Sequence, residues 1–173
     1  MIRAPRNMRV KRLPQPKLLT HEDYVRLTPP DSGNYELHNG KIIFMASPLA
    51  PHQIASMNLS IHLGLFIKQK NLGRVLAAPM DVKLTPNDTV QPDLLVVTNE
   101  RLGIIKTIVE GAPDLTVEIK SLSNSAKELA YKKYLYESHE VREYWLVNPD
   151  LKTVRQYVLE EGELNFKTRF ARW

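Results

Sequence analysis

The residues that most directly suggest chemistry are Pro92-Asp93 and, 25 positions after Asp93, Glu118-Ile119-Lys120. Leu115 to Ile119 reads as a strand, and strand side chains alternate between faces. Leu115, Val117 and Ile119 then share one face, while Thr116, Glu118 and Lys120 share the other. Asp93 opens Leu94-Leu95-Val96-Val97, a natural neighbouring strand. Two carboxylates brought together repel unless a cation sits between them. Mg²⁺ suits that place because it prefers carboxylate, water and phosphate oxygens. Such a centre hydrolyses phosphodiesters: the metal holds a non-bridging oxygen and acidifies a water, and a lysine orients that water or stabilises the pentacovalent oxygens. The same fragments have a plainer reading, in which Pro-Asp belongs to a turn and Glu-x-Lys is a solvent-facing ion pair.

The elements that must position these groups can be read along the chain. Pro14, Pro16, Pro29 and Pro30 punctuate an arm around one short helix, which Thr20 caps, with Glu22 and Asp23 in its first turn. Tyr35-Glu36-Leu37, Asn39-Gly40 and Lys41 to Met45 form a β-hairpin signal, since Asn-Gly readily takes the positive φ angles of a tight turn. His52 to Lys70 predicts a long amphipathic helix with Ile54, Met57, Ile61 and Leu65 on its apolar face. Short strands follow at Arg74 to Ala77, Asp81 to Leu84, Leu94 to Val97 and Leu115 to Ile119. Ser125 to Glu137 is helical, Glu143 to Val147 is a strand, and Val154 to Val158 pairs with Leu164 to Thr168 through Glu161-Gly162. The order predicts an α/β (α+β) fold: a mixed β-sheet core flanked by α-helices.

Composition narrows the function classes. A chain of 173 residues, 43% hydrophobic and 25% charged, suits one domain with a full-sized core. We expect a basic arm over residues 1–19 and a single domain over 20–173. Apolar runs are too short to cross a bilayer, and no secretory apolar stretch is visible at the start, so no membrane partner is expected. The absence of cysteine removes thiolate zinc sites and suits a reducing, cytoplasmic setting. Of the net charge of +5, Arg3, Arg6, Arg9, Lys11, Arg12 and Lys17 account for six positive charges; the remaining 18 cations face 19 acids, a balance of −1. That arm is either a non-specific phosphate contact or a solvated terminus. No glycine loop of phosphate-cradling type occurs, which argues against a nucleotide cofactor.

Beyond these fragments, the chain resembles the bacterial Uma-type family within the PD-(D/E)xK restriction-endonuclease-like superfamily. The resemblance is carried by Tyr35-Glu36-Leu37 through Gly40, Ser47-Pro48, His52, Gln91-Pro92-Asp93 and Val117-Glu118-Ile119. It continues through Ser121 to Asn124, Lys132, Tyr136 and Val141 to Pro149, with order and spacing kept from about Tyr35 to Tyr157. It implies a restriction-endonuclease-like fold and a divalent-metal-dependent DNA endonuclease using Mg²⁺, or Mn²⁺ in its place. It also implies a homodimer, since cutting two strands is easiest with two related sites. Asp93 and Glu118 would be the metal ligands, and Glu36 the upstream acid that completes the metal shell or positions water. Two lysines compete for the catalytic role, Lys120 and Lys132; alternation with Glu118 favours Lys120, leaving Lys132 as an auxiliary or phosphate contact. The chain departs from the family pattern at Glu128, where aspartate is usual, and at Glu140, where glycine is usual, which suggests a different helix cap.

Two further residues are candidates for contact with substrate. His52, near the start of the long helix, can approach a phosphate or make a local hydrogen bond. Tyr136, four residues after Lys132, can contact substrate, pack, or bond to Lys132. Glu128 and Lys132 also have the spacing of an ordinary helix-surface ion pair. A different class of function, a catalytically silent nucleic-acid-binding module on the same scaffold, is the alternative.

Overall fold

The structure is a computed structural model that describes residues 17–29, 34–121 and 125–171. Most of the basic arm, together with Pro30 and Leu122 to Asn124, lies outside the described residues.

Helix α1 (His21–Leu27) begins at Thr20, whose side chain accepts from Asp23 N–H while Asp23 accepts from Thr20 N–H, a reciprocal capping box. Strands β1 (Asn34–His38) and β2 (Lys41–Met45) form the expected hairpin, with Asn39 and Gly40 at φ 46° and 67°. A side chain at position 40 would also meet the Leu18 Cβ at 2.6 Å, so the turn demands glycine twice over. Helix α2 (Ala50–Gln69) is followed by β3 (Gly73–Ala77), β4 (Val82–Thr85), β5 (Asp88–Val90) and β6 (Leu94–Thr98). A 3₁₀ turn, β7 (Val109–Glu110) and β8 (Leu115–Ile119) lead to helix α3 (Ala126–Ser138). Strands β9 (Glu143–Asn148), β10 (Thr153–Glu160) and β11 (Glu163–Ala171) complete the order.

The strands make two mixed sheets where the sequence predicted one. The larger runs β11-β10-β9-β8-β6-β3, with only β8 and β9 parallel; the smaller runs β2-β1-β5-β4-β7. β5 and β7 escape sequence reading because strands of three and two residues are too short to show a period. Every residue of β8 is buried, because both faces of the large sheet are covered. Leu115, Val117 and Ile119 join Leu94, Val96 and Val147 against Ala55 and Ile67 of α2. On the other side, Leu95, Val97 and Tyr144 pack with Leu135 and Tyr136 of α3 and with Val82, Val90 and Val109 of the small sheet.

Two expectations are corrected. In α2 the stripe Ile54, Met57, Ile61 and Leu65 is exposed, and Ala55 and Ile67, aided by Leu59 and Leu63, face the sheet instead. The helix is apolar on two sides, so periodicity alone picked the wrong one. At the end of α3, Val141 N–H bonds to Tyr136 C=O and Glu140 N–H to Glu137 C=O, with Glu140 at φ 58°. This is the Schellman cap that glycine normally provides, kept here by a glutamate in the left-handed region. Among the described residues no helix is long and apolar enough to cross a membrane.

Candidate active site

The place where α3, β1 and β8 meet is occupied by charge. Glu36 of β1 is fully buried, and Glu118 of β8 and Lys132 of α3 are 5% and 3% exposed. The Lys132 ammonium donates to Glu36 Oε1 at 2.9 Å and to both Glu118 oxygens at 3.1 and 3.0 Å. Glu118 Oε1 also accepts from the Tyr136 hydroxyl at 2.5 Å. Glu36 has further partners: Gln91 N–H at 2.7 Å on Oε1, and His38 Nε2 at 2.7 Å on Oε2. Positions 132 and 136 are one helical turn apart, so the lysine and tyrosine approach Glu118 side by side.

Asp93 completes the set from the residue before β6. Its Oδ2 accepts Ile119 N–H at 2.6 Å, which ties it to the strand position after Glu118, and its Oδ1 lies 3.2 Å from His52 Nε2. The Asp93 side chain keeps 18% exposure, more open than either glutamate. Asp93, Glu36, Glu118, Lys132 and His52 all line one open cavity of about 320 Å³, together with Glu128 and Ser121.

Electrostatics separates the two glutamates that share Lys132. Burial disfavours the Glu36 charge, but the Lys132 ammonium and the His38 and Gln91 hydrogen bonds outweigh it and lower its pKa. For Glu118 burial wins: Lys132 and Tyr136 favour the anion, yet the negative charges of Asp93 and Glu36 add to desolvation and raise its pKa. Burial also works against the charge of Lys132, but Glu118 and Glu36 overcome it and raise its pKa, so this lysine is an ammonium at neutral pH. His52 behaves likewise, with burial opposed and outweighed by the Asp93 hydrogen bond and charge, and its pKa is raised.

The sequence therefore located most of the constellation, but of its two candidate lysines the structure places Lys132, and not the favoured Lys120, beside the acids. β8 stops at Ile119, and Lys120 is exposed, its N–H bonded to Val147 C=O. Lys120 lines a separate cavity of about 180 Å³ with Leu129, Leu146, Asn148 and Arg155. The first turns of α3 lie between the two cavities, since Glu128 and Lys132 line one and Ala126 and Leu129 the other. The structure thus brings Glu36, His52, Asp93, Glu118, Lys132 and Tyr136 together and leaves Lys120 outside. Tyr136 is fully buried, donates to Glu118 and packs its ring on Tyr144 at 5.4 Å, and it is not among the residues that line the cavity. His38 was missed, although its place two residues after Glu36 on one strand puts both on the same face. Gln91 was noticed only as part of a motif; its backbone holds Glu36 and its amide donates to Asp81 at 2.8 Å.

Comparison with known proteins fits this architecture. The chain is similar to a crystal structure of a protein described as a putative nuclease belonging to DUF820 from Anabaena variabilis ATCC 29413. The TM-score is 0.74 at 21% identity, covering 89% of this chain and 85% of that one, a likeness of fold. No curated protein matches the chain. The family described as "Uma2: putative restriction endonuclease" matches residues 21–170. That stretch runs from the first helix into the last strand and contains every side chain of the cavity, and the chain accordingly belongs to the Uma2 family.

Proposed function

We propose that this nuclease-family chain is a divalent-metal-dependent endonuclease that hydrolyses phosphodiester bonds in DNA, with Mg²⁺ as the working cation and Mn²⁺ as a substitute. The observation that carries the reading is the charge of the cavity. Glu36, Asp93, Glu118 and Glu128 line it, against Lys132 and the His52 imidazole. The acids outnumber the cations there, so an anionic phosphodiester meets repulsion that added positive charge relieves.

The donor set fits a hard cation. Asp93 and Glu118 are adjacent through the Asp93–Ile119 hydrogen bond, and all the acidic donors are oxygens. Among the described residues no group of three His, Asp or Glu side chains is arranged to hold an ion. A cation here would be held by the two carboxylates and by water, the habit of Mg²⁺ rather than of zinc. When bound, it supplies Lewis acidity toward phosphoryl oxygens and makes water more acidic.

The protein's own groups do the rest. Lys132, held as an ammonium, donates to negative oxygen developing at phosphorus and is not a proton acceptor. Glu36 fixes that ammonium beside Glu118, and Tyr136 and His52 aim the carboxylates of Glu118 and Asp93. Calorimetric titration with Mg²⁺ and Mn²⁺ tests the proposal: the chain should bind either cation, and Asp93→Asn should abolish binding. Absence of binding would instead favour a catalytically silent nucleic-acid-binding module.

A further inference from the structure

The second cavity, on the other side of the first turns of α3, has a composition opposite to that of the acid-lined one. Glu118 pairs with Leu146 and Leu146 with Arg155, while two positions along Asn148 pairs with Thr153. Paired positions share a face of the sheet. Lys120, two residues beyond Glu118, keeps the strand spacing through its N–H bond to Val147 C=O. Lys120, Asn148, Thr153 and Arg155 therefore stand together on the α3 side of the large sheet, and all four line the cavity of about 180 Å³.

Each of these groups has a hydrogen to give. Among the described residues no acid lines the cavity, and neither Lys120 nor Arg155 forms an ion pair. Thr153 is 4% exposed, yet among the described residues its hydroxyl has no hydrogen-bond partner, a condition that a buried polar group keeps only at a cost. Asn148 Oδ1 accepts from Leu151 N–H at 3.0 Å, so the amide nitrogen is left to donate. The 13-residue helix α3 opens on the same cavity at Ala126 and adds the partial positive charge of its first N–H groups. Leu129, Leu146 and Leu151 form the remaining wall, whose low polarity strengthens every one of these attractions. Two cations, a hydroxyl, an amide and a helix start suit an anion with several oxygens, and arginine pairs with phosphate through two parallel hydrogen bonds.

We propose that this cavity is a phosphate-binding site, built by Lys120, Asn148, Thr153 and Arg155 and distinct from the acid-lined cavity. The phosphate is one of the substrate strand that flanks the bond to be cut, a choice of source that rests on the nuclease reading. Residues 118 and 120 are roughly 6.6 Å apart along the strand, about the rise of two phosphates on one duplex strand at roughly 3.4 Å each. Lys120 and Arg155 then contribute affinity and take no part in breaking the bond. The acid-lined cavity repels a phosphate until a cation enters it, whereas this one attracts a phosphate without help.

Two titrations of the full chain in chelator test this. Inorganic phosphate, followed by amide NMR, should shift Lys120, Asn148, Thr153 and Arg155 saturably, and Arg155→Ala and Thr153→Val should each abolish the saturation. A fluorescein-labelled DNA oligonucleotide, followed by anisotropy, should bind Arg155→Ala roughly five- to tenfold more weakly, with the salt slope lowered by about one. Lys70→Ala, which removes an exposed cation at the end of α2, should keep the phosphate shifts. Phosphate shifts with unchanged oligonucleotide binding would keep the site and overturn the substrate strand as its source, leaving a free phosphate-bearing molecule. Weakened oligonucleotide binding without phosphate shifts would support the strand as the source. Shifts that survive both Arg155→Ala and Thr153→Val, or no shifts together with unchanged oligonucleotide binding, would overturn the site. Neither titration needs metal or cleavage, so a chain that binds phosphate here but no Mg²⁺ would sink the nuclease reading and leave this site standing.

Discussion

Replacing Lys132 with methionine keeps most of the side-chain volume and removes the ammonium that Glu36 and Glu118 share. In the wild-type chain three contacts of 2.9 to 3.1 Å hold that charge between two carboxylates, all of it almost wholly buried. Breaking a buried ion pair by removing one partner costs about 3–5 kcal/mol, because the remaining charge is left uncompensated. For a chain of this length about 2–4 °C in Tm follows each kcal/mol, so the variant should melt roughly 6–20 °C lower in chelator at pH 8. The pH dependence fixes the cause. In the wild-type chain the lowered pKa of Glu36 gives stability that is present above its ordinary value of 4.5 and is lost as pH falls toward about 2. Without Lys132, burial raises the pKa of both carboxyls, so the variant holds its stability at low pH and loses it as pH rises. The gap in Tm should therefore be small at pH 4 and widest at pH 8, measured by calorimetry or circular dichroism. Equal melting of the two proteins at pH 8, or a gap that widens toward acid, would refute the electrostatic account of the site.

Three other outcomes follow from particular contacts. Glu140→Gly relieves a left-handed glutamate at the end of α3 and should stabilise the chain by about 1 kcal/mol in denaturant unfolding. Gly73→Ala would set a Cβ 2.1 Å from Val97 C=O, where β3 pairs with β6, and should destabilise by at least about 2 kcal/mol in the same assay. Lys120→Ala should leave nuclease activity within a few-fold of wild type, whereas Lys132→Met should lower it by about 10²–10³-fold, read from initial cleavage rates. The opposite ranking of the two lysines would give the catalytic role to Lys120.

How much of this was legible in the sequence depended on the range of the interaction. Asn39-Gly40, the Thr20 cap and the apolar run of β8 are local signals, and each formed the element it announced. The two acids were found because alternation holds within a strand. Alternation favoured Lys120 over Lys132, since it cannot say that β8 ends at Ile119, nor that α3 brings Lys132 to a carboxylate 14 positions away in sequence. The α2 error has a similar origin: both of its sides are apolar, and only the packing of the sheet decides which is covered. Glu140 shows the reverse case, in which the residue argued for a different cap and the surrounding hydrogen bonds imposed the usual one.

The most direct test is a cleavage assay on single- and double-stranded DNA and RNA, with Mg²⁺, with Mn²⁺ and with chelator, for the wild-type chain and for Asp93→Ala and Glu118→Ala. We predict metal-dependent internal cutting of DNA by the wild-type protein and none by either folded variant. Full activity in chelator, or variants that cut as fast as the parent, would contradict a cation held between Asp93 and Glu118.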